Sequence, residues 1–141
     1  PVCVILGDNI IEKNIAKGVA DFKKQGKGAK IMLKEVHDPE RFGVAELDGD
    51  KVLSIVEKPK LPKSNKAVIG IYMYDNRVFD IIKTLKPSDR GELEITDVNN
   101  WFLDDASMTY EVLDGWWTDA GTFDSLIVAA GLCQNGGANN G

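Results

Sequence analysis

Two aspartates, a Glu-Lys pair and an arginine are the residues of this sequence best suited to chemistry on a charged substrate. Asp8 follows the apolar run Val2-Cys3-Val4-Ile5-Leu6-Gly7. An acid just past a buried strand stands at the carboxyl edge, where open α/β sheets bind their ligands. Asp8-Asn9 equally suits the N-cap of a following helix. Asp119 lies in Trp117-Thr118-Asp119-Ala120-Gly121-Thr122, read as a turn before a helix capped by Thr122, so this acid is not needed as a cap. Two carboxylates converging from separate loops suit Mg²⁺, a hard cation that takes oxygen ligands and keeps waters and phosphate oxygens in its shell. Glu57-Lys58-Pro59 closes a strand. The proline is expected to hold Lys58 extended, aiming its ammonium at a phosphate, while Glu57 accepts hydrogen bonds from sugar hydroxyls. The same pair also reads as an ordinary charge pair at a strand end. Arg90, ahead of the helix containing Glu94-Ile95-Thr96-Asp97, has the fork geometry for a phosphate or faces solvent.

The elements that must position these groups follow from the apolar pattern. Val2 to Leu6 reads as a central strand buried on both faces, typical of a parallel sheet. Ile11, Ile15, Val19 and Phe22 recur at helical spacing until Gly26 and Gly28 stop the helix. Ala29 to Val36 is the next strand, expected parallel to the first because a helix joins them. Phe42–Leu47 and Val52–Val56 form a hairpin through Asp48-Gly49-Asp50, and Ala67–Tyr74 is a strand whose Gly70 marks a close approach. Arg77–Leu85 and Leu93–Leu103 are predicted helices, Thr109–Leu113 a strand, and Leu126, Ile127, Ala130 and Leu132 lie on a last helix. The fold class is α/β, with a mixed, partly parallel sheet and flanking helices. One domain is expected over residues 1–133, with a disordered Gly/Asn-rich tail over 134–141.

Composition bounds the alternatives. The chain has 141 residues, 43% hydrophobic and 28% charged, which fits one globular domain and excludes wholesale disorder. Residues 1–90 hold all 17 Lys and Arg against 13 acids, whereas the remainder holds nine acids and no base. That asymmetry suits an anion on one side and a cation on the other, or is drift on a solvated surface. Nucleic acid is not expected as a partner, because the bases are not interleaved with aromatics. No run is long enough to span a bilayer and no secretory leader is predicted. Two cysteines, Cys3 and Cys133, make neither a disulfide framework nor a zinc site, so a reducing, cytoplasmic setting is the expectation. His37 reads as a turn residue, and Trp116 and Trp117 as core or a sugar-stacking face.

Six segments fall in a recognisable order: Leu6-Gly7-Asp8-Asn9, Asp38 to Val44, Glu57-Lys58-Pro59, Ala67 to Tyr72, Arg90 to Asp97 and Trp117 to Thr122. From about residue 2 to residue 132 the chain resembles the sugar-1-phosphate nucleotidylyltransferases, and most nearly the glucose-1-phosphate thymidylyltransferases. The resemblance implies a Rossmann-like nucleotide-diphospho-sugar transferase fold. It implies Asp8 and Asp119 as Mg²⁺ ligands, with the metal held only when nucleotide is present. It implies Lys58 and Arg90 on the sugar phosphate, as the catalytic positions. Gly43, Glu57, Val68 and Gly70 would contact the sugar and Trp117 the pocket's edge. The family's Gly-rich opening segment, G-G-x-G-T-R-L-x-P, has no counterpart in these residues. The expectation is a truncated or split enzyme that keeps its sugar-phosphate and metal residues but is inactive alone. Its partners would be a sugar 1-phosphate and a separate chain carrying the nucleotide-binding half. The alternatives are a non-catalytic sugar-phosphate-binding or oligomerisation module, and an inert fragment. An exposed sheet edge favours self-association, so a homo-oligomer is expected.

Overall fold

A computed structural model describes residues 1–89 and 91–137. The strands are β1 (Val2–Ile5), β2 (Asn9–Ile11), β3 (Ala29–Glu35), β4 (Gly43–Asp48), β5 (Lys51–Glu57), β6 (Lys66–Tyr74), β7 (Met108–Val112) and β8 (Trp117–Asp119). The helices are α1 (Ala16–Gln25), α2 (Val78–Thr84), α3 (Ile95–Asp104) and α4 (Phe123–Gly136), with a 3-10 turn over Pro39–Arg41. Six strands form one mixed sheet in the order β5-β4-β6-β3-β7, with β1 also paired to β6, while β2 and β8 make a separate ladder.

The long strand β6 organises the sheet. Val68 to Tyr74 are buried, the continuous apolar run expected of a strand covered on both faces. One side of β6 pairs antiparallel with β3. The other side is shared end to end, β4 pairing with Ala67 and Val68 and β1 with Ile71 to Tyr74. The only parallel pair among the described strands is β3 with β7. Alternation along β3 sorts the core into two layers. Ile31 and Leu33 join Tyr74, Val78, Ile81, Val98 and Phe102, beneath α2 and α3. Met32 joins Ile69, Ile71, Met73 and Phe22, beneath α1.

Several expectations hold and others are corrected. The mixed, partly parallel α/β architecture holds, and so does the hairpin, where Asp48 pairs with Lys51 around Gly49 (φ 53°). β1 is not a central parallel strand. It lies at an edge, antiparallel to β6 with no other described strand beside it, and its alternate residues are exposed. It does run in the same direction as β3, as expected, but β6 lies between them. Asp8-Asn9 caps no helix: Asn9 enters β2, and α1 begins only at Ala16, whose N–H is held by the Asn14 carboxamide at 2.9 Å. Trp117-Thr118-Asp119 is strand β8, not a turn, because the ladder with β2 satisfies its backbone. The final helix starts with Thr122 and Ser125 in a capping box and runs through Gly136, past the expected domain end at Cys133. The rest of the predicted tail, residues 138–141, lies outside the described residues.

Candidate functional site

The β2–β8 ladder brings the two predicted metal carboxylates together. Asn9 pairs with Asp119, and the Ala120 N–H donates to the Asp8 carbonyl at 2.6 Å, so Asp8 and Asp119 stand at one end of the ladder. Both carboxylates face the space above Gly121. A Cβ built there would lie 3.4 Å from Asp8 Oδ2 and 4.0 Å from Asp119 Oδ2. Gly121 therefore leaves open a small volume bounded by two anionic oxygens. Among the described residues, no group of three or more His, Cys, Asp and Glu is arranged to hold a metal. A cation between Asp8 and Asp119 would thus have coordination positions left for water or a substrate, which suits Mg²⁺.

Asn9 ties this end of the site to the sheet. Its Nδ2 donates to Asp8 Oδ1 at 2.8 Å, and its Oδ1 accepts from the Gly70 N–H at 2.9 Å and from Trp117 Nε1–H at 2.8 Å. The close approach expected at Gly70 is made by Asn9 and Leu6, for a Cβ on Gly70 would lie 2.8 Å from Leu6 Cδ1 and 2.9 Å from Asn9 Cγ. Trp117 in turn meets the Phe42 ring edge-on, centroids 5.4 Å apart. Arg41 lies over the Phe42 ring and donates to Asp38 at 2.7 Å.

A second cluster forms around Gly43, which pairs with Glu57 on one side and Val68 on the other. The Glu57 carboxylate lies over Gly43, 3.2 Å from where a Cβ would stand. Its Oε2 accepts a 2.6 Å hydrogen bond from the buried Thr96 hydroxyl. Lys58 is exposed and departs from the extended backbone expected of a residue before proline: its φ is +43°. The ladder extends one residue beyond Glu57 through the Lys58 N–H, which donates to the Phe42 carbonyl at 3.0 Å, and the chain turns sharply there. A non-glycine residue in the left-handed region costs about 1–3 kcal/mol and tends to occur at functional positions.

Burial pushes the phenol pKa of Tyr72 well above its ordinary value, and the negative charges of Glu57 and Asp8 push it further. Two open clefts flank this arrangement. One of about 300 Å³ is lined by Arg41, Phe42, Trp117 and Asp119, and another of about 410 Å³ by Glu57, Thr96, Asp97 and Asn100. The structure thus places Asp8 beside Asp119, Gly70 beside Trp117 through Asn9, and Gly43 and Val68 beside Glu57. It does not place Trp117 and Glu57 in one enclosed pocket, and Arg90 lies outside the described residues. Asn9, Thr96 and Tyr72 are not among the predicted site residues, although each lies in one of the six segments that carry the resemblance, and Asn9 is a tether of the site rather than a helix cap.

Comparison with known proteins gives the family. Residues 1–135 match the family described as Nucleotidyl transferase. The chain belongs to that family. It is 44% identical over 137 residues to the glucose-1-phosphate thymidylyltransferase of Neisseria meningitidis serogroup A, covering 94% of this chain and 48% of that protein. It is 45% identical over 141 residues to the enzyme of the same description from Xanthomonas campestris pv. campestris, covering 95% and 47%. A crystal structure from Bacillus anthracis, described as a glucose-1-phosphate thymidylyltransferase in complex with a sucrose, superposes with a TM-score of 0.88 at 56% identity. That match covers 94% of this chain and 54% of the other. The chain therefore spans about half the length of the curated relatives it matches.

Proposed function

We propose that these residues form the sugar-phosphate-binding and metal-binding part of a sugar-1-phosphate nucleotidylyltransferase of the glucose-1-phosphate thymidylyltransferase type. The observation that carries the reading is the convergence of Asp8 and Asp119 above Gly121, joined through Asn9 and β6 to the Gly43–Glu57–Thr96 cluster. In the whole reaction a phosphate oxygen of the sugar 1-phosphate attacks the α-phosphorus of a nucleoside triphosphate. A new P–O bond forms, the bond to the β-phosphate bridge breaks, and pyrophosphate leaves. Nothing in this requires covalent work by the protein, so positioning and charge neutralisation carry it.

Each residue has a role in that reading. Glu57, with one oxygen committed to Thr96, accepts hydroxyl hydrogens of the sugar with the other. Gly43, Val68 and Gly70 let the ring approach the sheet, and Trp117 bounds its edge. Lys58, at the sharp turn after β5, and Arg90 hold the phosphate. Asp8 and Asp119 would hold Mg²⁺ when nucleotide is bound, and such an ion would supply positive charge to neutralise the phosphates. Nucleotide binding belongs to the half of the family fold outside these residues, supplied by a separate chain or by more of the same one, and the 141 residues alone do not catalyse transfer. Self-association into a homo-oligomer is part of the proposal, supported by α4, where Phe123 is 89% and Ile127 71% exposed.

Calorimetry with glucose 1-phosphate tests the assignment residue by residue. Glu57→Gln and Lys58→Ala should each weaken binding on the order of ten-fold or more, as loss of one charge-assisted contact implies. Unchanged affinity in both variants would remove the sugar-phosphate site from this cluster.

A further inference from the structure

Cross-strand pairing sorts the β4–β5 hairpin into two faces. Gly43 pairs with Glu57 and Ala45 with Ile55, so these positions share the face that carries the Gly43–Glu57–Thr96 cluster. Val44 pairs with Val56 and Glu46 with Ser54, so these share the opposite face. Alternation carried one residue further would put Lys58 on that opposite face, away from Glu57. The left-handed backbone at Lys58, φ 43°, ends the alternation at this residue. Its N–H still donates to the Phe42 carbonyl at 3.0 Å, so the turn is made where the ladder makes its last bond.

Beyond the turn the chain folds back over the opposite face. Pro59, Leu61 and Lys63 line a groove of about 100 Å³ with Val44, Ser54 and Val56. Leu61 is 88% exposed, so apolar packing does little to hold this strap down. Polar contacts at its far end do. Lys63 Nζ donates to Glu46 Oε2 at 2.8 Å, and the same oxygen accepts from the Ser54 hydroxyl at 3.1 Å. Those two bonds hold the Glu46 carboxyl below its ordinary pKa. Ser64 Oγ donates to the Ala45 carbonyl at 2.5 Å. Only Pro59-Lys60-Leu61-Pro62 separates Lys58 from Lys63, and the two prolines fix φ at half of those positions. A strap this short and stiff transmits the placement of its clasped end to Lys58.

We propose that Lys63 and Glu46 are positioning residues of the sugar-phosphate site. Their ion pair anchors the proline strap and so holds Lys58 in its left-handed turn, keeping its ammonium off the opposite face. That backbone is strained for a lysine, so releasing the anchor lets Lys58 relax toward extended backbone and follow the strand alternation. The inference rests on the reading above, in which Lys58 meets the sugar phosphate. The pair itself is solvent-accessible, and such pairs contribute little to global stability, so its loss should register at Lys58 and not in unfolding.

The test reads glucose 1-phosphate affinity by calorimetry and amide exchange at Lys58 in the same samples of the 141-residue chain. Lys63→Ala and Glu46→Ala should each weaken binding about five-fold and speed Lys58 exchange about ten-fold or more, with the urea midpoint little changed. The charge exchange Glu46→Lys with Lys63→Glu should restore most of both. In a Lys58→Ala background, Lys63→Ala should cost no further affinity, because the ammonium it positions is gone. Full additivity of the two losses overturns the proposal, since Lys63 would then meet the ligand on its own. Unchanged Lys58 exchange in both single variants also overturns it. The functional reading fails separately. If the chain binds no sugar phosphate, or Lys58→Ala leaves affinity intact, that reading falls, while faster Lys58 exchange in Lys63→Ala still supports the clasp.

Discussion

Replacing Gly70 with alanine tests how the two clusters of the site are joined. Gly70 lies in β6 with an ordinary backbone, so alanine is not strained there by its dihedrals. The difficulty is space. The new methyl would stand 2.8 Å from Leu6 Cδ1 and 2.9 Å from Asn9 Cγ, distances that real Cβ atoms essentially never show. Leu6 Cδ1 is the end of a flexible side chain on a partly exposed residue, so it moves at little cost. Asn9 is held by three hydrogen bonds, from Gly70 and Trp117 and to Asp8. Displacing it gives up two or three bonds of about 1 kcal/mol each and adds overpacking of about 1–3 kcal/mol. Against this, alanine in a strand gains roughly 0.5–1 kcal/mol over glycine. The expected net destabilisation is about 2–5.5 kcal/mol, read from the urea midpoint by tryptophan fluorescence. Gly7→Ala, where a Cβ meets nothing within 4 Å, is the control and should stay within about 0.5 kcal/mol of the parent. In an Asn9→Ala background most of the Gly70→Ala cost should vanish, giving a coupling of at least about 1 kcal/mol. A cost unchanged in that background would refute the argument that Asn9 is what the glycine accommodates.

Other expectations follow from particular contacts. Thr96→Val removes the donor to Glu57 Oε2 and should weaken glucose 1-phosphate binding about ten-fold, with Thr96→Ser largely restoring it; equal loss in both would assign the effect to packing. Arg77 donates to Asp75 and Asp105 and lies over Trp101 and Phe102, so Arg77→Lys should cost about 1 kcal/mol in urea unfolding. Burial alone would raise the Asp75 pKa, but hydrogen bonds from the Arg77 side chain and from the Gly28 and Arg77 N–H groups outweigh it and hold the carboxyl below its ordinary 3.8. The unfolded chain then binds more protons in the acid range. This contribution is complete above 3.8 and fades as pH falls through the folded value; in Asp75→Asn the acid slope of stability should flatten. Burial raises the phenol pKa values of Tyr72 and Tyr74 far above 10.0. Both should stay un-ionised in the folded chain beyond pH 10.0, and stability should fall as the unfolded phenols ionise. A phenolate absorbance titration showing three tyrosines ionising near pH 10.0 with circular dichroism intact would contradict their packing.

Local signals carried the parts of the fold that local chemistry decides. Asp48-Gly49-Asp50 gave the hairpin because a two-residue loop needs a left-handed φ that glycine adopts without strain. Thr122 gave the start of α4 because its side chain caps the N3 amide. The long apolar run gave β6. What stayed hidden depends on distant partners. β2 and β8 are three residues each, too short for alternation to show, and Asp8-Asn9 looks like a cap until Trp117 to Asp119 arrives to pair with it. Val2 to Leu6 reads as doubly buried, yet Cys3, Ile5 and Leu6 are exposed, because a local apolar run does not say which neighbours cover it. Ile15, Val19 and Phe22 do face the core from one side at helical spacing, whereas Ile11 reaches the same core from a strand. The pairings that make the site, Asn9 with Gly70 and Trp117, and Thr96 with Glu57, join positions 39 or more residues apart, and no local pattern encodes them.

The most direct test of the central claim is calorimetric titration of the 141-residue chain, first with glucose 1-phosphate and then with dTTP and Mg²⁺. Saturable binding of the sugar phosphate and none of the nucleotide is expected. Failure to bind the sugar phosphate, in a chain shown to be folded, would contradict a surviving half-site. Binding of dTTP would contradict the assignment of nucleotide recognition to the half of the fold outside these residues.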